Sequence, residues 1–419
     1  MYSLIKVAVL ANVFEFYELC VYGYLSSTLS QIFFKSQDAT VALTQTFLIF
    51  AIGYLARPLG GLVLGTLSDY IGRGTTLKIS LGLMAIATTG IGLLPTYQDI
   101  GFLATLGLLF FRILQGFSAG GELTGSGCYI FESSTGSSRS LLCSIVGGSS
   151  ALGLLLASAV IFLLNSFFDP ESIIQWAWRI PFLLSLPLAM MLFGIRNTLA
   201  NDTLEHLKIN DSKSNTLSLS QFGEPLLLGA AMVAFTEISL YPFLVWMPTY
   251  LSHFLGVPKN ISQLTNTIAL IILPIMHLVA GYVSSRFGYR KLILGNILFF
   301  LCLAYPLFKL LVITQGSIAM ILSLQIFAAI IAGNMGGVLM ELLGDLFPTQ
   351  LRGRGMNLAH AVPNVLVGGT APMVCNYMVN KGFMMFPIFY AMGFATLALI
   401  AALRLRQYSI NAATHVYPS

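Results

Sequence analysis

Long apolar runs separated by short polar breaks recur along the whole length of this 419-residue chain. A helix of about 20 apolar residues is long enough to cross the roughly 30 Å hydrocarbon layer of a bilayer. Twelve such runs can be distinguished. They cover approximately residues 5–32, 41–68, 75–96, 100–131, 140–166, 176–197, 225–252, 262–285, 290–313, 317–344, 354–380 and 384–405. We therefore predict an all-α polytopic membrane protein with twelve transmembrane helices.

The composition agrees with this prediction. Hydrophobic residues make up 56% of the chain and charged residues 9%, whereas about 25% is usual for a soluble protein. The five cysteines are scattered through apolar runs without the spacing of a metal site. The sequence shows no nucleophile beside a base, no metal-ligand cluster and no phosphate-binding glycine loop. We therefore expect neither an enzyme nor an ATP-driven pump, and no cofactor or metal.

Lysine and arginine divide unequally between the two sides of the predicted membrane. With a cytoplasmic N-terminus, 14 of the 21 lie on the cytoplasmic side: Lys6, Arg73, Lys78, Arg139, Arg196, Lys208, Lys213, Arg286, Arg290, Lys291, Arg352, Arg354, Arg404 and Arg406. The outer side holds five: Lys35, Arg179, Lys259, Lys309 and Lys381. Because basic residues collect on the cytoplasmic side, we predict a multi-pass inner-membrane protein with both termini in the cytoplasm. The net charge of +5 requires no nucleic-acid partner.

A polar stretch, "NDTLEHLKINDSKSN", divides the apolar runs into two groups of six. It predicts a cytoplasmic linker at residues 199–224, between an N-terminal bundle at 1–198 and a C-terminal bundle at 225–406. Residues 407–419 are predicted to form a short cytoplasmic tail. Two pairs of motifs repeat between the bundles, at offsets of 216 and 213 residues. Gly65 and Gly72 match Gly281 and Gly288; Glu132 and Arg139 match Asp345 and Arg352. This repetition indicates a duplicated unit.

The matched loops suggest how one side of the molecule closes. We predict that charges at neighbouring helix ends form a cytoplasmic gate, with glycines that permit tight turns. The predicted gate residues are Gly65, Asp69, Gly72, Arg73, Glu132, Arg139, Asp345 and Arg352. Unrelated solvated charges are the alternative interpretation. Ser285 stands where Asp69 stands in the first half, which predicts a weaker latch in the second.

Seven motifs carry a resemblance to a known family. They are "NVFEFYELCVYGYL", "ARPLGG", "GLLPTY", "FRILQGFSAGGE", "WRIPFLLSLPL", "WMPTYLSHFLG" and "DLFPTQLRGRG". Together with the loop "GTLSDYIGR", they resemble the major facilitator superfamily and its metabolite:proton symporter branch, which includes proline/betaine, citrate, shikimate and 2-oxoglutarate carriers. The resemblance implies two pseudo-symmetric six-helix bundles. The chain departs from the branch at Glu18, where aspartate is usual, and at His360 and Ala361, which replace an aromatic-Asn pair.

Few charges lie inside the predicted membrane, where each is costly unless it faces a cavity or a partner. The acids are Glu15, Glu18, Glu122, Glu237 and Glu341; the bases are Arg57 and Arg112. Glu15 and Glu18 are three residues apart and so share a helix face. The resemblance places the first and fourth helices at a central cavity, which makes Arg112 a natural partner for one glutamate. We predict that Glu15, Glu18 and Arg112 couple protons; a static charge cluster is the alternative.

The same reasoning gives candidate substrate ligands. They are Asn12, Tyr22, Arg112, Gln115, Glu122, Tyr241, Trp246 and His360. Arg112 can bind a substrate carboxylate in a bidentate manner. For Arg57, which precedes Pro58, a structural role is favoured over anion binding. Glu122 can equally form a bond between helices, and His360 can be a packed neutral residue.

The leading functional hypothesis is a secondary active transporter that imports a small polar metabolite together with protons by alternating access. Betaines, amino acids and organic acids are the candidate substrates. The alternatives are a proton-antiport efflux transporter and a non-transporting membrane sensor. The expected partners are the substrate, protons and the lipid bilayer, and we expect a monomer.

Overall fold

A computed structural model describes residues 2–36, 38–71, 73–120, 122–203, 219–349 and 351–416. This part of the chain is helical and holds no strand. Its main segments are α1 (Tyr2–Tyr24), α2 (Ala39–Ile71), α3 (Arg73–Leu93), α4 (Phe102–Ser118 and Glu122–Ser133), α5 (Ser137–Phe167), α6 (Ser185–Thr203), α7 (Leu219–Leu240, Tyr241–Trp246 and Met247–Phe254), α8 (Lys259–Phe287), α9 (Tyr289–Ile313), α10 (Ile318–Leu346), α11 (Arg352–Pro363, Asn364–Gly369 and Ala371–Asn380) and α12 (Phe386–Val416). Short helices lie between them at Ser26–Phe33, Tyr97–Ile100, Pro170–Gln175, Ala177–Arg179 and Ile180–Leu183.

The prediction of twelve transmembrane helices in two sets of six is confirmed. Within the described residues, nine helices are long and apolar enough to cross a membrane, and Lys78–Leu93 and Phe102–Ser118 are shorter apolar helices. We call α1–α6 the first half and α7–α12 the second half. The final helix continues past the predicted end at residue 405 to Val416, because polar residues can extend a helix beyond the hydrocarbon layer.

Successive segments run in opposite directions, so the connections alternate between two ends of the bundle. We call one end the basic face; it holds the α2–α3, α4–α5, α8–α9 and α10–α11 connections. The opposite face holds the α1–α2, α3–α4, α5–α6, α7–α8, α9–α10 and α11–α12 connections. Helix contacts join the halves: α5 packs against α8 and α10, α4 against α10 and α11, α2 against α11, and α1 against α7.

Two segments of the second half change winding where they face the first half. Tyr241–Trp246 of α7 and Asn364–Gly369 of α11 are π-helical. Both stretches contact Tyr54 of α2: Gly369 packs against its side chain, and the Tyr54 and Tyr241 hydroxyls are 2.6 Å apart. Short π-helical stretches inside α-helices frequently mark functional sites. The two π-helical stretches therefore indicate a candidate functional site where α2, α7 and α11 meet.

Glycines allow α2 and α4 to approach closely. A Cβ atom added to Gly116 would collide with the carbonyl oxygen of Gly53, and one added to Gly60 would collide with the backbone of Phe117. We expect Gly116→Ala to lower the free energy of unfolding by about 1–3 kcal/mol, because neither backbone can move without losing packing. Thermal unfolding of the purified protein measures this change.

The matched control is Gly125→Ala, in the second part of α4. A Cβ atom at Gly125 has no heavy atom within 4 Å, and alanine is a better helix former than glycine. This variant should unfold at or above the wild-type temperature. Equal unfolding temperatures for the two variants would show that the contact of α2 with α4 is looser than the structure indicates.

Candidate functional site

Five buried polar side chains form a chain of contacts between the halves. Nη2 of Arg57 lies 3.7 Å from Oε1 of Glu15, and Nη1 of Arg57 donates to Oδ1 of Asn364 at 3.0 Å. Nδ2 of Asn364 donates to Oε1 of Glu237 at 3.0 Å. Nε2 of His360 lies 4.0 Å from the same carboxylate oxygen. We call these five residues the central network; they come from α1, α2, α7 and α11.

Burial makes the pairing within this network important. A buried charge is tolerated when an opposite charge and hydrogen bonds compensate it. Here one guanidinium lies between two carboxylates, with an amide bridging it to the second. The ring of Tyr54 lies 4.3 Å below the Arg57 guanidinium, so a cation–π contact adds to the compensation. The network therefore links the charges of α1 and α2 to those of α7 and α11.

A small cavity of about 60 Å³ adjoins the network between the two halves. Its polar lining includes Ser150, Glu237, Tyr241, His277 and His360. Ligand pockets in proteins have volumes of roughly 300 Å³ or more. The cavity is therefore too small for a metabolite in this conformation. The described residues also contain no group of three His, Cys, Asp or Glu side chains that could hold a metal ion.

Arg112 of α4 is fully buried but does not form the predicted ion pair. No glutamate among the described residues lies within ion-pair distance of it; Glu15 pairs with Arg57 instead. Nη1 of Arg112 donates to Oε1 of Gln115 at 2.8 Å, while Nε and Nη2 have no hydrogen-bond partner. The guanidinium lies 4.2 Å from the centre of the Tyr22 ring and 5.2 Å from that of Phe50. The predicted pairing of Arg112 with a glutamate is wrong for this conformation.

Glu18 faces away from the central network, into the first half. Its carboxyl group is fully buried and faces the hydroxyls of Thr88 and Ser185, but neither oxygen makes a hydrogen bond of normal geometry. Gln115 links the two regions, since its Nε2 donates to the Thr88 hydroxyl and its Oε1 accepts from Arg112. The two glutamates of α1 therefore have different neighbours, although they are three residues apart.

The other predicted substrate ligands are dispersed. Tyr241 and His360 line the central cavity. Nδ2 of Asn12 donates to Ser149 of α5 at 3.1 Å. Trp246 packs against Tyr250, with ring centres 5.1 Å apart, and is not among the cavity-lining residues. The side chain of Glu122 lies outside the described part of the structure.

The predicted gate is partly described, at the basic face. Nη1 of Arg352 lies 3.0 Å from Oε1 of Glu132, so an ion pair joins α11 to α4. The guanidinium groups of Arg139 and Arg352 lie 4.4 and 4.9 Å from the centre of the Phe131 ring. These residues surround a pocket of about 440 Å³, lined by Phe131, Glu132, Arg139, Asp345, Thr349 and Arg352. The repeated charge motifs of the two halves thus meet in one cluster.

The remaining gate residues do not extend this cluster. Gly65 is exposed, and a Cβ atom added there would have no heavy atom within 4 Å. Gly72 and the side chains of Asp69 and Arg73 lie outside the described part of the structure.

Further hydrogen bonds between the halves lie at each end of the bundle. Towards the basic face, Glu341 of α10 accepts from Ser140 of α5, across the halves, and at 2.7 Å from Ser284 of α8, within the second half. Towards the opposite face, Gln263 of α8 donates to the Ser158 hydroxyl of α5 at 2.8 Å. Asn376 of α11 donates to Thr44 of α2 at 3.0 Å. Polar contacts therefore join the halves at both ends of the interface, and we refer to this conformation as occluded.

We expect Arg352→Gln to open the basic face more often. An ion pair of this partly exposed kind contributes at most about 1 kcal/mol, so opening should increase by about fivefold. The buried Cys128 of α4 reports on this opening. Its sulfur lies 4.0 Å from the position of a Cβ atom on Gly353 of α11, so it becomes accessible when α4 and α11 separate. The rate at which a maleimide alkylates Cys128, measured by peptide mass spectrometry, should therefore rise by about fivefold.

Cys375, buried in the part of α11 nearer the opposite face, is the internal control and should react as slowly as in the wild type. If Arg352→Gln left the alkylation rate of Cys128 unchanged, the ion pair would not hold α4 against α11.

Sequence reasoning missed three central residues. From the sequence, a structural role is favoured for Arg57, Glu237 is predicted only to lie inside the membrane, and Asn364 carries no prediction. One signal was available for Asn364: it follows Pro363 in an apolar run and lies four residues after His360, on the same helix face. The contact between Asn364 and Arg57 joins residues 307 positions apart, and no local pattern predicts such a pairing.

Comparisons with known proteins agree with this architecture. The chain is 32% identical to a proline/betaine transporter of Salmonella typhimurium, over 96% of this chain and 83% of that protein. It is 31% identical to a citrate-proton symporter of Klebsiella pneumoniae, over 88% of this chain and 83% of that protein. Among solved structures, the proton:xylose symporter XylE has a similar fold, with a TM-score of 0.77 at 20% identity over 97% of this chain and 95% of that chain.

A family model also covers most of the chain. The model of the Major Facilitator Superfamily matches residues 16–362, which include α2 to α10 in full. This match extends over both halves and over Arg57, Glu237 and His360. The chain therefore belongs to the major facilitator superfamily.

Proposed function

We propose that the protein is a secondary active transporter that imports a small polar metabolite together with protons. The observation that carries this proposal is the central network, in which four ionisable side chains lie buried where the two halves meet. A protein with only a structural task gains little from charges inside a membrane, because each is costly there. The similarity to a proline/betaine transporter and to a citrate-proton symporter supports the same function.

Alternating access follows from the contacts at the two ends of the interface. The ion pair of Glu132 with Arg352 holds the basic face together. The hydrogen bond from Asn376 to Thr44 does the same towards the opposite face. In the proposed cycle these contacts break in turn, so that the central region opens to one side and then to the other. The occluded conformation lies between the two open states.

The proposed proton-coupling groups are Glu15 and Glu18. Glu15 has a buried cation, Arg57, beside it, which favours its ionised form. Neither oxygen of Glu18 has a hydrogen-bond partner, and no cation of the described residues forms an ion pair with it; an ionised carboxylate is costly in such surroundings. We infer that Glu18 holds a proton in the occluded conformation. Opening the first half to water lowers that cost and allows the proton to leave.

Arg112 is the proposed contact for the substrate. Betaines, amino acids and organic acids have a carboxylate in common, and a carboxylate is the natural acceptor for the two unpaired nitrogens of this guanidinium. Gly53 of α2 lies beside them: a Cβ atom there would come within 3.4 Å of Nε and Nη2. We propose that movement of α2 away from α4 opens a place for the carboxylate at this point.

We further propose that the basic face is cytoplasmic and that the protein works as a monomer in the inner membrane of a bacterial cell. The excess of arginine and lysine at that face supports the orientation. Residues 199–224 would then form the cytoplasmic linker between the bundles, with residues 407–419 as the tail. The lipid bilayer, protons and one small molecule are the proposed partners.

Uptake into proteoliposomes tests this function. Purified protein is first screened for stabilisation by betaines, amino acids and di- or tricarboxylates, because a bound ligand raises the unfolding temperature. Labelled metabolites from that screen should then accumulate only when the proton gradient is directed inward. Uptake that an uncoupler leaves unchanged would refute proton symport. A protein that gives neither uptake nor counterflow with any metabolite of the screen would be a sensor rather than a transporter.

A further inference from the structure

The second half of the molecule carries a buried carboxylate that the proposed cycle has not yet used. Glu237 of α7 is 7% exposed and lines the central cavity. Its Oε1 accepts a hydrogen bond from Asn364 and lies 4.0 Å from the His360 ring nitrogen. We propose that Glu237 is a further proton-binding site, coupled to Glu15 through Asn364 and Arg57. This inference rests on the proposed symport, and its test separates the two.

The coupling runs through the amide of Asn364. This side chain has one acceptor and one donor in use: Oδ1 accepts from Arg57, and Nδ2 donates to Glu237. The arrangement suits an ionised Glu237, because a carboxylate accepts and does not donate. A proton on the carboxylate removes its charge and weakens the bond from Asn364, since hydrogen bonds to charged groups are the stronger kind.

A weaker hydrogen bond between Asn364 and Glu237 also weakens the link between the two halves. Asn364 is the hydrogen-bonded bridge between Arg57 of the first half and Glu237 of the second. When Glu237 is neutral, Arg57 keeps its bond to Asn364 and its contact with the Tyr54 ring, but Glu15 is the one negative charge of the central network that remains to compensate it. Protonation of Glu237 therefore weakens the electrostatic attraction between Arg57 of α2 and the second half, which favours separation of α7 and α11 from α2. The proton enters from the side to which the cavity is open and leaves to the other side after the halves have moved.

The π-helical stretch of α11 places the amide where this coupling needs it. Asn364 is the first residue of that stretch, and Gly368 and Gly369 follow in it. A Cβ atom on Gly368 would lie 2.9 Å from Oε2 of Glu237 and 3.0 Å from the Tyr241 ring. Any larger residue at Gly368 would therefore push the carboxylate away from Asn364. The π-helical winding and the glycines both allow α11 to lie close to Glu237.

Other titratable groups surround Glu237 and belong to the same equilibrium. Arg57 and Tyr54 face it from α2, and Tyr241 follows it on α7. His360 faces it from α11, and His277 of α8 lines the same cavity. The cavity-lining residues of α5 and α10 are not titratable. Arg57 is the one permanent charge in this set, so a proton on Glu237 or His360 changes the net charge around it directly.

Infrared spectroscopy tests the proposal without a substrate. We propose pH-difference spectra of the lipid-reconstituted protein in the region of the protonated carboxyl stretch. Glu237→Gln should remove one component of the wild-type band. Glu341→Gln is the matched control, because Glu341 is also a partly buried acid of the second half, but it accepts from two serines and forms no ion pair with any of the described residues. The spectrum of this variant should keep the Glu237 component.

A second variant covers the case in which Glu237→Gln does not fold. Asn364→Leu keeps a similar volume and removes the donor to Glu237, so the midpoint of the Glu237 component should move up by about one pH unit. Glu237→Gln spectra that superimpose on the wild type, or an unmoved midpoint in Asn364→Leu, would overturn this site. Symport itself would still stand if uptake continued to require an inward proton gradient; failure of that requirement alone would remove the proposed function and leave the titration intact.

Discussion

Replacing Arg112 with methionine should abolish uptake while leaving the folded protein as stable as the wild type or more stable. The guanidinium is fully buried, and two of its nitrogens have no hydrogen-bond partner. Replacing buried charges with apolar residues of similar size is often neutral or stabilising, by about 1–4 kcal/mol. The contact with a substrate carboxylate would be lost, at a cost of about 3 kcal/mol or roughly 100-fold in affinity. Uptake assays and thermal unfolding of the same preparation measure both effects.

Arg179→Met is the matched control for Arg112→Met. The Arg179 guanidinium is outside the proposed site and donates to the carbonyl oxygens of Gly92 and Leu94 at 2.8 and 2.6 Å. Its removal should lower stability, because these carbonyls lose their partner, whereas the protein that remains folded should still transport. If Arg112→Met unfolded as readily as Arg179→Met and kept its uptake rate, Arg112 would be structural.

Replacing Glu18 with glutamine should separate transport from its driving force. A membrane potential of 100 mV contributes about 2.3 kcal/mol for each charge moved, which supports roughly 50-fold accumulation for each proton. Glutamine has nearly the same shape and stays neutral, so it imitates the protonated form that the buried site favours. The variant should exchange labelled for unlabelled substrate at the wild-type rate but reach equal concentrations on both sides of the membrane.

Glu15→Gln is the comparison for Glu18→Gln. It removes the carboxylate beside Arg57, and loss of one partner of a buried ion pair costs about 3–5 kcal/mol. Glu15→Gln should therefore unfold at a lower temperature, whereas Glu18→Gln should not. Full gradient-driven accumulation by Glu18→Gln would assign the coupling proton to another group, and equal stabilities would mean that the contact of Glu15 with Arg57 is weak.

The helices were predictable because the physics that sets them is local. In a bilayer every backbone polar group needs an internal partner, so a long apolar run has few choices besides a helix. The twelve predicted ranges lie on the twelve segments observed. The winding of α7 and α11 was not predictable in this way. Pro242 and Pro363 indicate disturbed hydrogen bonding, but a π-helical stretch is selected by packing against α2, which a single sequence does not show.

The gate at the basic face could be predicted from the sequence better than the pairing of charges at the centre of the molecule. Glu132 and Arg352 were identified as gate residues because their motif repeats between the halves, and the structure brings them together. At the centre, the sequence predicts that Arg112 pairs with a glutamate, whereas in the structure Arg57 pairs with Glu15. Arg57 and Arg112 are both buried arginines in the first half, and helix periodicity does not say which of them meets Glu15. That choice depends on the tilt and rotation of α2 and α4, which glycine contacts such as Gly116 against Gly53 set.

The most direct test of proton symport is to let the substrate drive the proton. Proteoliposomes with a pH indicator inside and equal pH on both sides receive a gradient of a metabolite that the stability screen has identified. The account predicts that the lumen becomes acidic as substrate enters, that the change vanishes in Glu18→Gln, and that labelled counterflow continues in that variant. Substrate entry at the wild-type rate without any acidification would contradict the account.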